Sequence, residues 1–141
     1  MQVEINQLGG RKLEGMHNQS SGQNLAVWMS QLLDKKGGQE TMVIDVRGRS
    51  SITDFILVVT GTSSRHLQTL IEAPCLEMKK LGFPPSHVEG NGTHWIIADF
   101  GDVLLHVFDE QARKYFNLEE LWESAPRVEW DTKRISMTAS K

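Results

Sequence analysis

With 141 residues the chain has room for one compact domain and some tail, and a domain of roughly 100 residues buries a core without disulfides or a structural metal. A net charge of −3, with basic and acidic residues interspersed, argues against a broad nucleic-acid-coating surface, although it leaves room for a local patch. The single cysteine, Cys75, excludes an intrachain disulfide and fits an intracellular protein, where it reads as a small buried helix residue.

Residues 1–21 are rich in Gln, Asn, Gly and Ser, with apolar residues too scattered to form a face, and read as a flexible leader. They lack a basic segment followed by an apolar one, so no secretory signal is expected. The longest apolar run, Phe55 to Val59, is too short to cross a bilayer. A cytoplasmic protein without membrane contact is the expectation. From Gln23 to Lys36, Leu25, Trp28, Met29, Leu32 and Leu33 recur at three- and four-residue steps and predict a helix. Lys35 and Lys36 suit its negative end, and Gly37-Gly38 stops it. Thr41 to Val46 reads as a strand, followed by a turn in "RGRSS". Asp54 to Thr60 is apolar almost throughout, which predicts a central strand covered on both faces.

Ser63 or Ser64 then caps a helix running to about Leu81, with Leu67, Leu70, Ile71, Cys75 and Met78 inward and a kink expected at Pro74. Gly82 and Pro84-Pro85 prevent its continuation. Ser86–Glu89, Thr93–Phe100 and Val103–Phe108, separated by Gly90-Asn91-Gly92 and Gly101-Asp102, predict a three-stranded meander. Leu118 to Ser124 predicts a short helix carrying Leu118, Leu121 and Trp122 on one face. After Ala125-Pro126, residues 127–141 read as a polar, loose tail that Val128 and Trp130 could tack down. The expected fold is therefore one α/β domain over residues 22–126, a mixed β-sheet with flanking helices.

Four groups of residues could carry chemistry. The loop "TGTSSRH", Thr60 to His66, stands where α/β proteins often hold a phosphate, and Arg65 could add a fork of donors. It lacks the P-loop lysine spacing and the three-glycine fingerprint, so a serine-capped turn shaped by Gly61 competes with a ligand loop. Asp45, Asp54, Glu89, Asp99 and Asp102 fall near strand ends, where paired carboxylates could hold magnesium for nucleotidyl transfer. Asp99 and Asp102, flanking Gly101, read more simply as a hairpin tip. His66, His87, His94 and His106 lack zinc-type spacing, and His106 reads as a satisfied sheet residue. Trp95, opening a strand after "EGNGTH", is either core or an exposed anchor, whereas Trp122 is the better core candidate.

Three blocks, "DVRGRSSITDFILVVTGTSSRH", "VEGNGTHWIIADFGDVLLHVF" and "RKYFNLEELW", occur in an order and spacing that resembles the ribosomal silencing factor family, also called the Iojap or RsfS family. The resemblance covers about Gln23 to Pro126. It implies a small domain of nucleotidyltransferase-like topology without enzymatic activity, catalytic residues, cofactor or metal. It also implies binding to the large ribosomal subunit through large-subunit ribosomal protein fourteen, where a bound factor blocks subunit joining and lowers translation when nutrients are scarce. Organelle relatives act in large-subunit assembly.

Among the matched positions, Arg65, His66, Glu89, Gly90, Trp95, Asp99 and Arg113 are expected to form the partner-binding surface. A contact with ribosomal RNA and self-association into a homodimer stay open. One departure is visible: the family pattern usually has tyrosine two residues before the Leu-Glu pair, where this chain has Phe116, with Tyr115 one place early.

Overall fold

The computed structural model describes residues 19–90 and 93–131. Its first element, α1 (Gln19–Lys35), begins four residues before the apolar pattern does. Of the residues the spacing puts on one face, Met29 and Leu33 are buried and Leu25, Trp28 and Leu32 half-buried, with Ala26 buried beside them. The helix closes at Gly37, whose φ of +84° favours glycine, and the Gly38 N–H returns to the Leu33 carbonyl at 2.9 Å.

Next come β1 (Gln39–Asp45) and β2 (Phe55–Gly61), antiparallel, with Val43 opposite Leu57. All seven residues of β2 are buried, which is what an unbroken apolar run predicts for a strand sandwiched between layers. Ser63, in extended backbone, caps α2 (Ser64–Lys80) by accepting the His66 N–H at 3.0 Å. Leu67, Leu70, Ile71 and Met78 face inward. Pro74 is buried inside the helix, which continues on both sides of it.

The expected meander follows as β3 (His87–Glu89), β4 (Trp95–Asp99) and β5 (Val103–Asp109). β5 then runs parallel to β2, from Phe55 opposite Val103 to Gly61 opposite Asp109. The sequence pattern missed α3 (Glu110–Phe116), because only Ala112 and Arg113 are buried on it and no apolar stripe exists. Its ends hold it instead: Asp109 accepts the Ala112 N–H at 2.8 Å, and Asn117 turns into the left-handed region at φ +44°.

Two further expectations change. The helix expected over 118–124 is the single turn α4 (Leu118–Leu121), and Leu121 is 70% exposed rather than sharing an inward face. Trp122 and Leu118 do pack against the smaller of two cores. In the expected tail, β6 (Arg127–Val128) pairs with β1, and Trp130 packs on the main core with its indole N–H 3.4 Å from the Thr41 carbonyl. The leader up to residue 18 and the tail beyond residue 131 lie outside the described residues.

The sheet order is β3-β4-β5-β2-β1-β6, mixed, with flanking helices, so the α/β class holds. Its alternation sorts side chains onto two faces. Val43, Phe55, Leu57, Val59, Ile96, Ala98, Leu105 and Val107 meet α1 and α2 in the main core. Ile44, Ile56, Val58 and Phe108 form the smaller core with Ala112 and Ala125 on the opposite face. No helix among the described residues is long and apolar enough to cross a membrane.

Candidate functional site

On the face opposite α1 and α2, Ala112, Leu118, Trp122 and Ala125 pack with Ile44, Ile56, Val58 and Phe108 of β1, β2 and β5. Register places the side chains of this face in rows. Trp95 of β4 lies opposite Phe108, Ile97 opposite His106, and Asp99 opposite Leu104. On β3, Glu89 pairs with Ile97 and His87 with Asp99. Trp95, Ile97 and Asp99 are half-buried, and Glu89 and His87 are exposed.

Trp95 is held from three sides. Its ring lies 5.1 Å from that of Phe108, 4.4 Å from Phe116 at the end of α3, and 5.8 Å from His106. Its indole N–H donates to His106 Nδ1 at 3.0 Å. Of the two readings left by the sequence, Trp95 is thus neither wholly core nor loosely exposed. It is a half-buried aromatic held in place by three rings and one hydrogen bond. Tyr115 continues the patch, edge-on to Phe116 at 4.9 Å and 81% exposed.

Gly90 has a structural task beside it. Its φ is +92°, and a Cβ there would stand 2.1 Å from the Trp95 carbonyl oxygen. The Thr93 hydroxyl lies within hydrogen-bond distance of the Gly90 and Trp95 carbonyls and donates its one hydrogen to one of them, and the Thr93 N–H donates to the Gly90 carbonyl at 2.9 Å. Gly90→Ala is expected to cost about 1–3 kcal/mol through strain at a non-glycine positive φ and to displace Trp95. A thermal melt together with the indole N–H resonance of Trp95 checks this. An unchanged melting temperature and resonance would mean that the hairpin has room for the methyl group.

The acidic residues divide. Glu89 meets His87 at 2.7 Å on the rim, with both side chains largely in solvent. Asp99 accepts the Gly101 N–H at 2.8 Å and makes the hairpin tip that its place beside Gly101 predicts. It stands on the same face as Trp95 but roughly 13 Å along the strand. At the other end, Asp109 pairs with His94 and caps α3. Partial burial pulls its carboxyl upward, but the Ala112 N–H and the His94 ring outweigh that and leave it below the ordinary carboxylate range.

Two residues expected on the surface, Arg113 and His66, are engaged within the fold, and Gly61 has another task than the turn expected of it. The Arg113 side chain is 7% exposed, donating from Nε and Nη2 to Glu119 at 2.8 and 2.6 Å and from Nη1 to Thr60 at 2.9 Å. The structure does not bring it to the face. His66 accepts the Thr62 N–H at Nδ1, 2.9 Å, which leaves Nε2 to donate to the Lys36 carbonyl at 2.9 Å. It joins the end of α1 to the start of α2. Gly61 is the last residue of β2, and a Cβ there would meet Leu67 at 2.7 Å, so it serves close strand–helix packing rather than a left-handed turn. Arg65 alone of this loop's charged groups is exposed, in the first turn of α2.

An open cleft of about 600 Å³ lies at the C-terminal ends of the parallel pair, lined by Thr60, Thr62, Asp109, Glu110 and Lys114 among others. This is where open α/β sheets place ligands. Two of its polar groups already have partners, since Thr60 accepts from Arg113 and Asp109 caps α3. Among the described residues, no group of three His, Cys, Asp or Glu is placed to hold a metal ion.

A family model described as "ribosomal silencing factor during starvation" matches residues 18–141. A Haemophilus influenzae protein named ribosomal silencing factor RsfS is 38% identical over 99 residues, covering 70% of this chain and 97% of that protein. The mouse protein named mitochondrial assembly of ribosomal large subunit protein 1 is 30% identical over 95 residues, 64% of this chain and 42% of its own length. A crystal structure of a Bacillus halodurans protein superposes with a TM-score of 0.64 at 33% identity, covering 79% of this chain and 99% of that one.

Proposed function

Since the chain belongs to the ribosomal silencing factor family, we propose that it binds the large ribosomal subunit through large-subunit ribosomal protein fourteen and sterically prevents subunit joining when nutrients are limiting. The observation that carries this reading is the locked, half-exposed Trp95 in an aromatic patch with an acidic rim. A steric block needs occupancy and no reaction. A rigid indole supplies contact area without ordering cost, and Glu89 and Asp99 give the face the sign that attracts a basic ribosomal protein. The mouse relative's name, which refers to large-subunit assembly, agrees with a large-subunit partner.

In this reading Trp95 is the anchor, Gly90 shapes its hairpin, Glu89 and Asp99 form the rim, and Arg65 is the outlying group available to ribosomal RNA. His66 and Arg113 act by holding the elements that present the face. The protein works in the cytoplasm, where subunits join, and needs no cofactor. Sedimentation with separated ribosomal subunits tests it. The protein should travel with the large subunit, not the small, and reduce reassociation. Failure to travel with the large subunit would overturn the reading. The open cleft keeps a second reading, metal-dependent nucleotidyl transfer, within reach of one measurement. Calorimetry with ATP or GTP and magnesium should give no heat of binding, and a saturable heat would favour the enzyme.

A further inference from the structure

His106 reads in the sequence as an ordinary sheet histidine, and the structure gives it a more specific place. It stands on the aromatic face, 6% exposed, between Ile97 of β4 and Val58 of β2, with its ring parallel to that of Phe108 at 6.0 Å. The indole N–H of Trp95 can only donate, so His106 Nδ1 must be the unprotonated nitrogen and Nε2 must carry the hydrogen. Among the described residues Nε2 has no hydrogen-bond partner. A buried donor left so is uncommon and costly unless something outside the chain satisfies it.

We propose that His106 is the positioning residue of the Trp95 anchor: Nδ1 fixes the indole orientation, and Nε2–H is a directional donor for an acceptor of the docked protein, a backbone carbonyl or a carboxylate. This rests on the reading of the face as a protein-docking surface. Two consequences follow from the geometry. An indole tied at its N–H keeps one rotamer before the partner arrives, so less freedom is lost on docking. A partner presenting a carbonyl or carboxylate to Nε2 is preferred to one presenting a methyl or ammonium group, because only an acceptor satisfies the donor.

The lock also holds across the range in which histidines ordinarily titrate. Burial pushes the imidazole of His106 down to about 4, and the groups around it, Trp95 and Ile97 of β4, Val58 of β2, Phe108 of its own strand, carry no charge. The nearest acid in the row, Glu89, is one strand farther, beyond Ile97. Nδ1 therefore stays an acceptor across about pH 5 to 8.

Three substitutions separate the two nitrogens. His106→Phe removes both. His106→Asn keeps an acceptor near the Nδ1 position and lacks the distal donor, whereas His106→Gln keeps an amide near the Nε2 position. The Trp95 indole N–H resonance and its exchange with water are read on the free protein, and affinity for large subunits is read by sedimentation. The wild-type indole signal should be protected across about pH 5 to 8, lost in the Phe and Gln variants, and retained in Asn. Large-subunit affinity should fall about tenfold in Phe and a few-fold in Asn and Gln. A second pair, Trp95→Phe with and without His106→Phe, should lose only the further few-fold that belongs to the distal donor in the double variant, because the Nδ1 bond is already gone. Unchanged indole protection in His106→Phe overturns the lock, and wild-type affinity in folded His106→Asn overturns the distal donor. If wild-type protein fails to bind subunits while its indole remains protected, the docking reading fails and the lock stands.

Discussion

Trp95→Ala is expected to leave a cooperatively folded domain whose affinity for the large ribosomal subunit falls about 30-fold or more. The fold survives because the indole packs only against the smaller core, half-buried, and the main core under α1 and α2 does not include it. What alanine removes is contact with Phe108 and Phe116 and the bond to His106. Trp95 is only half-buried, so the stability cost should stay near 1–2 kcal/mol, below the 3–5 typical of a fully buried tryptophan. Water entering the gap satisfies Nδ1 of His106, which limits the loss further. Affinity falls more because the indole is the large rigid group of the face, and partner groups packed on it would be left against solvent. Co-sedimentation with large subunits and a thermal melt decide the matter together. Normal co-sedimentation would remove Trp95 as the anchor, and loss of cooperative unfolding would assign it to the core.

How far this face could be read from sequence depends on which interactions are local. The Ser63 cap, the Asp99 turn and the β3–β4–β5 meander rest on contacts a few residues apart, so composition and spacing expose them. The unbroken run in β2 marks a central strand for the same reason. Arg113 is expected at the surface only from the resemblance, and nothing local shows otherwise, because its partner Thr60 lies 53 residues away. His66 reaches 30 residues back to Lys36, a pairing with no trace in local pattern. Gly61 reads in the sequence as a turn residue, although what excludes a side chain there is Leu67 packing down from the next helix. α3 escaped notice because its two caps, and not a stripe, hold it, which hid Phe116 as the wall behind Trp95.

Phe116 also bears on the one departure from the family pattern. A ring at this position lies 4.4 Å from the indole, and the neighbouring Tyr115 is largely in solvent. Packing on Trp95 needs only the aromatic surface, which phenylalanine supplies as well as tyrosine does. The missing hydroxyl therefore bears on what the patch offers a partner, while the support of the anchor is intact.

That support depends on α3 staying where it is, and Arg113→Met is expected to destabilise the domain by about 2–4 kcal/mol, lowering the melting temperature by roughly 10 °C. Arg113 ties three elements, joining α3 to Glu119 of α4 and to Thr60 of β2. Methionine fills much of the volume but leaves the Glu119 carboxylate without its guanidinium and the Thr60 hydroxyl without its donor. Breaking a fully buried pair costs about 3–5 kcal/mol, and the Glu119 side chain, 24% exposed, recovers part of that from water. Arg113→Lys should sit between the two, because one ammonium cannot reproduce a fork of donors aimed at two partners. The double variant Arg113→Met with Glu119→Leu should regain most of the loss, since it removes the stranded carboxylate as well. Chemical denaturation with unchanged slope, compared across the four proteins, measures this. Were Arg113 instead a direct contact with the ribosome, Arg113→Met would keep its melting temperature and lose affinity, and the Glu119 substitution would restore nothing.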